Sequence, residues 1–159
     1  MNRSEHIAAL RAASGVLAGN DRLLLAEWSD ADWSKLLDRT TLRPFRSSEV
    51  VIQRGANDRA MHFVVAGTLE VGITQVDGVS IAPLAKITPG SVVGEQSFFD
   101  GQPRSTNVWA ETDGEMLRLE YDDFIKFSHD EVALARDLLF ALARVLSSRL
   151  RNTTFRVRR

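Results

Sequence analysis

The apolar positions of the chain change period twice. From residue 1 to about residue 42 they fall at helical steps. Ser4 precedes Ile7, Ala8 and Leu10, and Gly15 and Gly19-Asn20 punctuate the run. Leu23, Leu24, Leu25 and Trp28 lead into Ser29-Asp30-Ala31-Asp32. A serine with an acid three residues on predicts a capped helix start. Trp33, Leu36 and Leu37 follow at helical spacing and predict a buried stripe. From about 43 to 120 the pattern shortens into strand-like runs at 49–53, 61–65, 68–74, 80–87, 107–111 and 115–119. Asp77-Gly78 and Asp113-Gly114 predict hairpin turns, and Pro89-Gly90 predicts another turn. Many short strands at this spacing predict an antiparallel barrel or sandwich. From Tyr121 to the end, 121–159, the pattern is helical again. Asp122 and Asp123 favour a helix start ahead of Phe124 and Phe127. A long helix is expected from about Asp130, with Val132, Ala135, Leu138, Leu139, Leu142, Val145, Leu146 and Leu150 at three- and four-residue steps. Leu134 and Phe140 lie off that stripe, so a second apolar face is available, suited to pairing two copies as a homodimer. The fold class is therefore α+β: an antiparallel β-roll, a jelly-roll-like barrel, between an N-terminal helical segment and a long C-terminal helix.

Composition narrows the function. The chain has 159 residues, enough for one domain, and 44% of them are hydrophobic. With no cysteine, disulfides, thiolate metal ligands and thiol nucleophiles are excluded, and a cytoplasmic setting is expected. A net charge of −1 argues against a general polyanion binder. Arg149, Arg151, Arg156, Arg158 and Arg159 crowd the C-terminus, where they read first as a solvated helix end that suits the dipole and second as a contact for nucleic acid, membrane or an acidic partner. No apolar run approaches the roughly 20 residues that span a bilayer, so no membrane association is expected.

The chemistry concentrates in 89–106, Pro-Gly-Ser-Val-Val-Gly-Glu-Gln-Ser-Phe-Phe-Asp-Gly-Gln-Pro-Arg-Ser-Thr. A phosphate needs free backbone N–H groups and positive charge. Gly94 lets the backbone come close, and a short helical turn at 95–99 would aim its N–H groups at an anion. Arg104 supplies a charged fork, and Pro103 stiffens its approach. Glu95 beside a phosphate needs another task, and accepting from a sugar hydroxyl is the natural one. Without further information the segment reads equally as a surface loop with an incidental Glu–Arg pair.

Gly-Glu, an apolar turn and then Pro-Arg-Ser between strands resembles the phosphate-binding cassette of the cyclic nucleotide-binding domain family. That resemblance runs from about Leu23 to Leu150 and includes Gly55, Gly67 and Gly90 in turns. It implies a cyclic nucleotide ligand, cyclic AMP or cyclic GMP, and no metal. Glu95 would then accept from the ribose 2′-hydroxyl and Arg104 would pair with the cyclic phosphate. Gly94, Gln96, Ser97 and Phe98 would line the phosphate side, the last two through their backbones. Ser105 would donate to a phosphate oxygen or a base edge beside Thr106. Leu84 and Ile87 would wall the base. Gln96-Ser97 stands where the family usually has an aliphatic residue and then a small one. Arg149, Leu150, Asn152 and Thr153 are the residues placed to cover the base from the long helix.

Rival functions fare less well. A metal-dependent barrel enzyme needs clustered ligands, yet His6, His62 and His129 fall in three different zones. No nucleophilic set or paired carboxylates stand out, so an enzyme is not expected. The chain ends at Arg159 without room for a recognition helix, so direct DNA binding is not expected. A ligand-free interaction or dimerisation module of the same fold and the sensor part of a truncated transcription regulator are the remaining rivals. In either case the output passes to an effector protein that the sequence does not name.

Overall fold

The computed structural model describes residues 1–15, 22–74 and 81–157. Gly19-Asn20, Asp77-Gly78, Arg158 and Arg159 lie outside the described residues, as do the side chains of Leu84 and Arg156.

Two helices open the chain, α1 (Arg3–Gly15) and α2 (Asp30–Leu37). Ser29 caps α2 as the sequence predicts: its hydroxyl accepts from the Asp32 N–H at 3.2 Å, and the Asp32 carboxylate accepts from the Ser29 N–H at 2.9 Å. Eight strands follow: β1 (Thr41–Phe45), β2 (Val50–Ile52), β3 (Met61–Ala66), β4 (Leu69–Thr74), β5 (Ile81–Ile87), β6 (Val92–Val93), β7 (Asn107–Ala110) and β8 (Gly114–Leu119). A short helix α3 (Glu95–Asp100) interrupts them between β6 and β7, and α4 (Tyr121–Asp130) and α5 (Val132–Val157) close the chain.

The strands form two antiparallel four-stranded sheets, ordered β1-β8-β3-β6 and β2-β7-β4-β5. The roll is therefore a two-sheet jelly-roll arrangement. Strand β3 shows how one sequence run serves two cores. Met61, Phe63 and Val65 pack toward the helices, with Trp33, Phe98, Phe124, Leu138 and Leu142. Val64 points the other way, between the sheets, with Phe45, Ile87, Val93, Val108 and Met116. Both faces are buried, so the run is continuously apolar except at His62, which shares the interior side with Val64.

Two features depart from the sequence reading. Asp113-Gly114 does not turn a hairpin between β7 and β8, because those strands sit in different sheets. Gly114 lacks the positive φ that a type I′ turn demands; it pairs with Phe45, and any Cβ there would strike the Ala66 carbonyl and the Phe45 ring. The second departure is β1, which the sequence hides behind Pro44. A proline is tolerated there because β1 is an edge strand.

Candidate ligand-binding site

The site begins where β6 stops. Gly94 has φ +82°, a left-handed conformation that glycine adopts without strain, and it is the N-cap of α3. No side chain caps this helix. The first helical bond runs from the Phe98 N–H to the Gly94 carbonyl, which leaves the N–H groups of Glu95, Gln96 and Ser97 without intrahelical acceptors. A Cβ at Gly94 would lie 2.7 Å from Arg104 Nη1 and 3.0 Å from the Ala60 carbonyl. Glycine is thus required both by its torsion and by the arginine packed on it.

Arg104 is held from both ends. Its backbone N–H donates to the Ala56 carbonyl at 2.9 Å, and its carbonyl accepts from the Gly55 N–H at 2.8 Å. Its guanidinium, almost wholly buried, donates to the Gly94 carbonyl at 2.8 Å and the Ala60 carbonyl at 2.5 Å, and pairs with Asp58 at 3.2 Å. The Nε–H is buried with no protein acceptor. Asp58 also takes a two-nitrogen fork from Arg118, both bonds 2.9 Å. Burial alone would push the Asp58 carboxyl up, but the Arg118 and Ala60 hydrogen bonds and the two guanidinium charges outweigh it, so the group sits below the usual carboxylate range.

Glu95, also buried, meets a cation from the opposite side. Arg149 of α5 reaches its carboxylate at 2.7 Å and donates to the Val92 carbonyl at 2.7 Å and to Ser91 Oγ at 3.1 Å. Between these groups lies a cavity of about 440 Å³, a size suited to a small ligand. Val71, Ile87, Val93 and Val108 give it an apolar end, while Glu95, Arg104 and Arg149 give it a charged one. Such a pairing fits a ligand with a flat apolar ring and an anionic group. At this wall the first turn of α3 leaves three N–H groups without helical acceptors, and the Arg104 Nε–H is buried without a protein acceptor.

The cavity wall gathers most of the residues the sequence singled out: Gly94, Glu95, Gln96, Ser97, Arg104 and Ser105, with Thr106 and Ile87 beside them. Ser105 Oγ donates to Gln96 Oε1 at 2.6 Å, so the unusual glutamine has a definite partner. Asn152 and Thr153 close the wall from α5. Phe98 is placed elsewhere. Its ring is buried in the helix-side core against Tyr121 and Phe124, at 5.6 and 5.5 Å between centroids. Sequence reasoning missed Asp58, Ala60 and Arg118, because a loop acid and a strand arginine 60 residues apart carry no local signal.

His62 is buried on the interior side, with its Nε2 3.5 Å from Arg118 Nη1. Burial first, then Arg118, Arg104 and Arg43, push its imidazole down to about 3, from an ordinary value near 6.5. Below pH 6.5 the unfolded chain binds this proton and the fold does not. The His62 contribution is therefore full above that value and is lost as the pH falls toward 3, with a limiting slope of about 1.4 kcal/mol per pH unit. Urea unfolding between pH 7.5 and 5 should show this loss in the wild type and a flatter profile in His62→Gln. Equal slopes would remove His62 as the cause.

Among the described residues no cluster of histidine and acidic side chains is placed to hold a metal ion, and no helix is long and apolar enough to cross a membrane. The family model for the cyclic nucleotide-binding domain matches residues 42–131, more than half of the chain. A crystal structure of a cyclic nucleotide-binding domain from Methylobacillus flagellatus superposes with a TM-score of 0.79 at 19% identity, covering 98% of this chain and 82% of that one. Over 92% of its length the chain is 24% identical to patatin-like phospholipase domain-containing protein 6 of Pongo abelii, and spans 11% of that protein. Over 76% it is 25% identical to the cAMP-activated global transcriptional regulator CRP of Salmonella typhimurium, of which it spans 56%. The curated relatives are thus longer proteins that contain a region like this one, and the chain belongs to the cyclic nucleotide-binding domain family.

Proposed function

We propose that this chain is a regulatory sensor, not an enzyme, that takes cyclic AMP in preference to cyclic GMP into the cavity between the roll and α5. The observation that carries the reading is that two buried residues of opposite charge, Arg104 and Glu95, line one cavity. In this reading Arg104 and the first turn of α3 bind the cyclic phosphate, and Glu95 accepts from the ribose 2′-hydroxyl. Ser105 and Thr106 border the phosphate, and Val71, Ile87 and Val108 face the base. The printed name of the Salmonella relative, a cAMP-activated regulator, favours adenine.

Arg149 couples the site to the output. Its guanidinium pairs with the Glu95 carboxylate. A ribose hydroxyl arriving at Glu95 competes with it, so binding shifts the balance of α5 positions by the difference in affinity between them. The same helix exposes Val132, Phe140 and Leu150, each about 70% accessible. A second copy pairing along this face would cover them, and an effector protein would read the change. Sedimentation equilibrium tests the pairing, and a monomer at every concentration removes it from the reading.

The direct test is thermal unfolding with cyclic AMP, cyclic GMP and 5′-AMP. A ligand at a hundred times its dissociation constant adds about 2.7 kcal/mol. For a domain of this size that is roughly 5–10 °C. Cyclic AMP should give this rise, cyclic GMP less, and 5′-AMP little. No shift with either cyclic nucleotide, in folded protein freed of any bound ligand, rejects the reading.

A further inference from the structure

Arg59 stands outside the cavity wall, yet it touches both the phosphate-side helix and the start of the output helices. Its Nε–H donates to the Phe98 carbonyl at 3.0 Å and its Nη2–H to the Phe99 carbonyl at 3.2 Å. These belong to the last turn of α3, whose carbonyls have no further helical N–H to accept. The cap residue Gly101 bonds only the Ser97 carbonyl, and a side chain there would lie 3.5–3.7 Å from the Arg59 guanidinium. The same guanidinium lies over the ring of Tyr121, the first residue of α4, 3.6 Å from its centroid.

Its neighbour makes the arrangement informative. Asp58 holds Arg104, the phosphate-side cation, at 3.2 Å. Two adjacent residues therefore reach two points of the 94–104 segment, Asp58 at Arg104 and Arg59 at the end of α3. Beneath Arg59 the buried Phe98 ring of α3 packs on the rings of Tyr121 and Phe124 of α4. Those rings cannot part without opening the core. Arg59 is exposed, so its contacts can break and reform while the core stays closed.

We propose that Arg59 is a positioning residue that clasps the end of α3 to Tyr121, so that ordering of α3 by a bound phosphate is felt at the first turn of α4. The proposal rests on the cyclic nucleotide reading of the site. The charge at the C-terminal end of α3 also favours the helical turn whose opposite end faces the ligand.

Two measurements test it. The first needs no ligand: urea unfolding of Arg59→Gln, Tyr121→Leu and the double variant. The clasp predicts non-additive losses, because either change alone breaks the same contact; additive losses overturn it. The second is amide hydrogen exchange with and without cyclic AMP. In the wild type, ligand should slow exchange in both α3 and α4. In Arg59→Gln, slowing in α3 should persist, affinity should fall only about two- to fivefold, and the change in α4 should be lost. Arg59→Lys, which keeps the charge without the fork, should restore affinity more fully than the α4 response. An α4 response of undiminished size in Arg59→Gln overturns the proposal. A wild type in which cyclic AMP alters neither helix overturns the cyclic nucleotide reading itself, and this proposal with it.

Discussion

Arg104→Lys should remain folded and bind cyclic AMP about ten- to a hundredfold more weakly than the wild type. The variant keeps a positive charge but loses the planar fork that spans the Gly94 and Ala60 carbonyls. It also loses the buried Nε–H, which has no protein acceptor. A charge-assisted hydrogen bond contributes about 1.5–3 kcal/mol, which corresponds to that range of affinity. Arg104→Ala should bind worse still and lose stability as well. It strands two buried carbonyls, at about 1–3 kcal/mol for a buried polar group left unpaired. Asp58 itself stays paired with Arg118, so the loop at 58–60 should keep its shape. Isothermal titration for affinity and urea unfolding for stability separate the two effects. Equal affinities for wild type and Arg104→Lys would mean that the guanidinium does not meet the ligand.

Gly94→Ala should reduce both stability and binding, although alanine adds a single methyl group. Two costs combine. A residue with a Cβ at φ +82° carries about 1–3 kcal/mol of strain. The methyl must also push aside Arg104 Nη1 at 2.7 Å or the Ala60 carbonyl at 3.0 Å. The arginine tip is the softer of the two, so it yields, and the phosphate donor is misplaced. A fall in Tm of roughly 3–10 °C follows from the strain alone for a domain of this length, with affinity lowered at least as far as in Arg104→Lys. Gly55 is a useful control. It too has a positive φ, +84°, but nothing lies within 4 Å of a Cβ there, so Gly55→Ala should show the torsional cost and leave the ligand site intact. Thermal melts with titrations of both variants check this. Normal affinity in Gly94→Ala would show that Arg104 can shift without consequence.

Local pattern revealed what local forces decide. The Ser29–Asp32 cap, the apolar run of β3 and the turn into α4 depend on neighbours within a few residues, and all stand where the sequence places them. The 94–104 segment read equally as an incidental loop from its residues alone and became legible through the resemblance of Gly-Glu, an apolar turn and Pro-Arg-Ser to a phosphate-binding cassette. Long-range partners were not legible. The Asp58–Arg118 fork joins residues 60 positions apart, and Arg149 reaches Glu95 only because α5 folds back across the roll. Asp113-Gly114 misled because its composition suits a hairpin. The chain uses it instead to cross between sheets, with Gly114 chosen for its lack of a Cβ beside Ala66 and Phe45. Of the adjacent pair Phe98-Phe99, one ring was expected to anchor the loop, and Phe98 does so in the helix-side core.

Calorimetric titration of cyclic AMP into wild-type protein, unfolded and refolded to strip any carried ligand, tests the central claim most directly. The account predicts saturable heat at one site per chain, with cyclic GMP weaker and competing for the same site. Absence of heat from both nucleotides, in protein whose melting confirms the native fold, would contradict it and leave the cavity between Glu95 and Arg104 to some other anion-bearing ligand.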